Sequence, residues 1–276
     1  MEDRVNSENI QVNSTFNAIR MVYNITFNQT IRGKKTILML ILTFLPAIFT
    51  AYYSIAKPEN IIPPNFLLYQ ITLFYLLFAS ILVSLFYGTA IVGDEIDNKT
   101  IIYLFTRPIP KYSIIIGKFI AYIVGVILIM VPPILISLLI IATDSSLSGN
   151  YHNTLDMFSK QLGVIILSLF VYGSIFTFFG ARVKHPMIVG LLFAFGWEKI
   201  MLIVPGIIRK FSIVHYLVSI FPVDTSFHST METVSKDAFF SNTSGGTLSI
   251  IIISLVTVIF LGLTVLTVYT KEYKFE

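Results

Sequence analysis

Long apolar runs separated by short polar stretches set the plan of this chain. The first runs from Ile37 to Ile55, carries Pro46 and stops at Lys57 and Pro58. Others occupy residues 66–92, 113–142, 162–181, 187–208 and 248–269. About 20 apolar residues cross a bilayer as a helix, so each run is read as a membrane span. The third exceeds that need and must tilt, protrude or bend, and Pro132-Pro133 supplies a bend. Gly117, Ala121 and Gly125 recur four apart along it, a small-residue spacing that lets another helix approach closely.

Ahead of the first span the pattern changes twice. Residues 1–13 are polar and without period, which predicts a flexible tail. Over residues 14–36, Phe16, Ile19, Tyr23 and Phe27 recur at helical spacing and lead to Arg32, Lys34 and Lys35. This predicts an amphipathic helix in the membrane interface, its basic end against anionic lipid. The remaining residues, 37–276, form the six-span domain. Between the fifth and sixth runs, Ile213 to Pro222 is too apolar to be freely solvated and too short to cross. It predicts a re-entrant or surface-lying segment.

The connector between the second and third spans is the most informative polar stretch. It reads GDEIDNKTIIYLFTRPIPKYSIIIGK from Gly93 to Lys118. Asp94 can cap a short helix, Glu95 and Asp97 suit the positive end of its dipole, and Pro108 and Pro110 stop it. The helix would offer Ile101, Leu104 and Phe105 on one face. That face either rests on lipid headgroups or docks in the groove of a soluble partner.

Composition agrees with a membrane protein. Of 276 residues, 55% are hydrophobic and 12% charged, against roughly 25% charged in soluble domains. The fold class expected is all-α, a polytopic membrane protein with six transmembrane helices. Cysteine is absent, which excludes disulfides and thiol-based metal or redox sites. Lys and Arg concentrate on one side of the six-span plan, at Arg20, Arg32, Lys34, Lys35, Arg107, Lys111, Arg182 and Lys184. The other side has Lys57, Lys160, Arg209, Lys210 and Lys236. The first side is therefore expected to be cytoplasmic, with both termini.

Catalytic and nucleotide motifs are missing. The chain has no GxxxxGK[ST], HExxH or GxSxG pattern, and its four histidines lack ligand spacing. No metal site, catalytic residue or bound cofactor is expected. One ionisable residue sits inside a span: Glu198, between Trp197 and Lys199. It lies about 17 Å into the fifth run at about 1.5 Å per residue. Either it faces a cavity or polar partner, or the span is shifted and Glu198 sits at an interface beside Lys199.

The connector resembles that of the ABC-2 group of ATP-binding-cassette transporter permeases. The resemblance is carried by Glu95, Thr100, Leu104, Pro108, Lys111 and Gly117-Lys118. Lys99 stands where the group has glycine, and Lys111 where arginine is common. A second patch, Trp197-Glu198 through Leu202, Pro205-Gly206 and Ser212 to Leu217, is also similar. The resemblance implies an exporter's permease subunit in the cell membrane, paired with a second permease subunit. A separate cytoplasmic ATPase would use ATP and Mg and grip the connector helix. Glu95, Thr100, Ile101, Leu104, Phe105 and Arg107 would form the coupling site. The alternative is a membrane protein that works without an ATPase, such as a secondary transporter or scaffold. The internal repeats that would favour a secondary transporter are not visible between the first three and last three spans.

Overall fold

The computed structural model describes residues 2–56, 64–97, 110–142, 151–203, 207–220 and 245–270. The described residues are helical apart from short links. Helix α1 spans Glu2–Arg32 and α2 spans Lys34–Ala56. The second run is α3, Pro64–Phe74, a π-turn at Tyr75–Ala79, and α4, Ser80–Asp97. Then come α5, Lys111–Ala142, and α6, Tyr151–Arg182. The next stretch holds α7, Pro186–Leu191, a second π-turn at Leu192–Trp197, and α8, Glu198–Ile203. A 3-10 turn at Ile207–Phe211 leads into α9, Ile213–Ile220, and α10 spans Gly246–Thr270.

Five helices among the described residues are long and apolar enough to cross a membrane: Lys34–Ala56, Gln70–Ile96, Lys111–Ile141, Phe158–Arg182 and Gly246–Thr270. They match five of the six expected runs. The run expected at 187–208 differs, because its regular α-helix is interrupted by the second π-turn and α8 ends at Ile203. A π-turn inserts one extra residue and so rotates everything beyond it relative to the preceding helix. Here it precedes Glu198 directly.

Glycines set how closely the central helices pack. A Cβ at Gly180 would stand 2.6 Å from the Thr89 carbonyl oxygen, and one at Gly88 would stand 2.9 Å from the Phe176 Cβ. Thus α4 and α6 run side by side in the same direction, backbone against backbone, as small residues permit in membrane bundles. Tyr122 of α5 fills the space beside Gly173. Its hydroxyl donates to Ser84 Oγ of α4 at 2.9 Å or to the Leu169 carbonyl of α6 at 3.1 Å, so one buried ring ties three helices together.

The expected helix boundary at residue 36 falls at Gly33, where α1 gives way to α2. The face that α1 buries is Ala18, Val22 and Thr26, with Ile19, Tyr23 and Phe27 half-buried at its edge. That face is taken by α5.

Polar side chains in the bundle mostly satisfy themselves locally. Thr257, Thr264 and Thr267 of α10 each donate to the carbonyl four residues back. This leaves no hydroxyl facing hydrocarbon without a partner at these positions.

Candidate functional site

Among the described residues, charged groups are held at the foot of the connector and around Glu198 and Lys199. At the foot of the connector, α4 ends and α5 begins. Lys118 is almost fully buried, at 3% exposure. It forms an ion pair with Glu95 and donates to the Ile91 carbonyl at 2.9 Å. The two ends of the Gly93–Lys118 stretch are therefore clamped to each other. Beside this clamp Asp94 meets Lys35 at 3.1 Å, an exposed pair joining α4 to the start of α2. Lys111 lies over the Tyr269 ring at 5.4 Å, which brings the end of α10 to the same end of the bundle.

The coupling residues expected on the connector divide. Glu95 is described, and within the chain Lys118 is one of its partners. Thr100, Ile101, Leu104, Phe105 and Arg107 lie outside the described residues. So does Phe275, in the C-terminal stretch.

The small-residue stripe receives α1. A Cβ at Gly117 would stand 3.0 Å from the Ile19 carbonyl oxygen, and one at Gly125 would stand 2.7 Å from Thr30 Cγ2. Ala121 between them is fully buried. Contacts advance together along both helices, so α1 and α5 run in the same direction. Ala18, Val22 and Thr26 repeat every four residues, as the stripe does, and backbones can approach where both faces are small.

Glu198 is fully buried and has three donors around its carboxyl group. Ser212 Oγ donates to Oε2 at 2.6 Å, the Val214 amide to Oε2 at 3.3 Å, and the Ile213 amide to Oε1 at 3.2 Å. Ser212 immediately precedes α9, and the first two amides of that helix have no carbonyl within it to meet. Glu198 therefore caps α9 from a distant part of the chain. Glu198 thus has polar partners within the chain.

The neighbouring Lys199 points elsewhere and donates to the Leu77 carbonyl at 3.0 Å. Leu77 belongs to the first π-turn, where the widened hydrogen-bond pattern frees backbone carbonyls. Phe78 of that turn meets Phe195 of the second at 6.1 Å, edge to face. The two π-turns thus face each other. Two consecutive residues, Glu198 and Lys199, fix two different elements.

Sequence reasoning missed the role of Lys118, which carried only a place in a motif. A charged residue just inside an apolar run was the available signal, the same signal that drew attention to Glu198. The Lys199–Leu77 contact had no signal, because the π-turn that frees the carbonyl leaves no pattern in the residues. Among the described residues no group of three His, Asp or Glu side chains could hold a metal ion.

The bundle and its span-length apolar helices define a multi-pass integral membrane protein. The chain also matches the family described as ABC-2 family transporter protein over residues 31–197, more than half its length. It belongs to that family, as an ABC transporter permease of ABC-2 type. No curated protein matches it.

Proposed function

We propose that this chain is the membrane-spanning subunit of an ABC exporter in the cell membrane. Two such subunits, identical or related, enclose the path, and a cytoplasmic ATPase drives them with ATP and Mg that this chain does not bind. The carrying observation is the family match together with the clamped connector within the matched residues. In this reading the ATPase docks on Ile101, Leu104 and Phe105, with Thr100 and Arg107 beside them, and its motion reaches α4 and α5 through the Glu95–Lys118 clamp. Residues 186–203 supply the sixth crossing, which places both termini on the cytoplasmic side with the connector.

Affinity purification in mild detergent tests the pairing. A cassette ATPase co-purifies with the wild-type chain. Leu104→Asp puts a charge into the contact at a cost of roughly a few kcal/mol, and the ATPase is lost while the variant still inserts. An unchanged yield of ATPase with Leu104→Asp refutes docking at that face. Failure to recover any ATPase with wild type favours a membrane protein that works alone.

Topology has its own test. A reporter active only in the cytoplasm is active when fused after Phe275, and a cysteine at Ser145 is labelled from outside. Labelling of that cysteine from inside alone overturns the six-span arrangement.

A further inference from the structure

Where the α1–α2 junction meets the end of α4 and the start of α5 lies an open cavity of about 280 Å³. Its walls include Lys34, Lys35, Lys118, Asp94 and Glu95. The lysines exceed the carboxyl groups by one. Lys118, itself buried, is paired with Glu95 in the clamp. Lys35 and Asp94 are paired but exposed, their side chains 49% and 56% accessible. Lys34 is exposed and supplies the surplus positive charge. The outer part of the cavity therefore favours an anion over a cation.

Its level in the bundle narrows the ligand. The apolar spans of α2 and α4 end at Lys34 and Ile96. The cavity thus opens where hydrocarbon gives way to lipid headgroups. Leading away from it along α2 is an apolar track of Ile37, Leu38, Ile41 and Leu45, each more than half exposed. These positions share one helix face. A free phosphate would use only the cavity, whereas a phospholipid would use the cavity and the track.

We propose that this cavity holds the phosphate of an anionic glycerophospholipid, with Lys34 and Lys35 as its cations and an acyl chain along the outer face of α2. The assignment does not depend on the transport reading.

Native mass spectrometry of the full chain, released from detergent with added phosphatidylglycerol, phosphatidylcholine or inorganic phosphate, tests it. Wild type retains phosphatidylglycerol in preference to phosphatidylcholine and does not retain phosphate. Lys34→Gln and Lys35→Gln each lower phosphatidylglycerol retention, on the order of fivefold per charge removed. Ala90→Phe fills the cavity from its wall, leaves every charge in place and lowers retention as well. Lys210→Gln, a lysine exposed elsewhere, leaves retention unchanged. Equal retention in wild type and in the Lys34, Lys35 and Ala90 variants overturns the site. Retention of phosphate as strong as that of phosphatidylglycerol overturns the lipid as its source.

Discussion

Replacing Glu198 with leucine is expected to abolish recovery of monodisperse protein, while Glu198→Gln is expected to be recovered with a lowered melting temperature. The difference follows from the three donors around the carboxyl group, at Ser212, Ile213 and Val214. Leucine leaves all three donors without this acceptor, two of them in buried hydrogen bonds, and each buried orphan costs about 1–3 kcal/mol. Glutamine keeps one oxygen, which can still serve Ser212 and Val214. Its amide nitrogen then faces the Ile213 amide, so roughly one such penalty remains. A double-mutant cycle of Glu198→Gln with Ser212→Ala should show coupling, because the Ser212 hydrogen bond is charge-assisted with glutamate and neutral with glutamine, and Ser212→Ala removes it in both backgrounds. Thermal unfolding in detergent reads all four proteins. Wild-type stability of Glu198→Leu would show that the cap on α9 carries no weight. If both single variants fold normally yet lose export, Glu198 acts in transport instead.

The second large effect is expected at the clamp. Lys118→Met should destabilise the chain strongly, and Lys118→Met combined with Glu95→Gln should recover most of the loss. Removing one partner of a buried ion pair typically costs about 3–5 kcal/mol, because the other charge is left without compensation. Glu95 keeps a quarter of its side chain exposed, so the loss should fall at or below the lower end of that range. Replacing both partners removes the uncompensated charge, and such double replacements are often close to neutral. Melting temperatures of the four combinations decide the matter. Additive losses in the double variant would mean that the two residues act separately. The folded double variant then isolates coupling: stimulation of the co-purified ATPase should fall although the chain is intact.

Five spans were legible in the sequence because uninterrupted apolar runs of this length have no other stable place. The remaining run was harder to read. Gly196, Trp197, Glu198 and Lys199 interrupt its apolar character, and its π-turn packs on Phe78 of the other π-turn, with Lys199 just beyond it bonded to Leu77. The helical period of α1 was visible, but the residues that mark it are not its most buried ones. Bulky Ile19, Tyr23 and Phe27 flank the contact, and small Ala18, Val22 and Thr26 make it. In a soluble protein the large residues would be expected to lead. Between membrane helices close backbone approach counts for more. The stripe at Gly117, Ala121 and Gly125 announced a close neighbour without saying which helix it was. Glu198 was legible as an anomaly, but its partner lies fourteen residues on and across a turn, beyond any periodic rule.

The pairing of α1 with α5 has a consequence for how the chain is made. Helix α1 finds its partner surface only when Gly117 to Gly125 has been synthesised, roughly 100 residues later. At ordinary elongation rates that is a wait of about 5–20 s. Throughout it, α2, α3 and α4 must enter the bilayer while Ala18, Val22 and Thr26 remain uncovered. The small, weakly apolar character of that face suits the delay, since it offers little for unrelated surfaces to seize. Insertion of α5 then completes the N-terminal half in a single docking step, and the order of synthesis becomes the order of assembly.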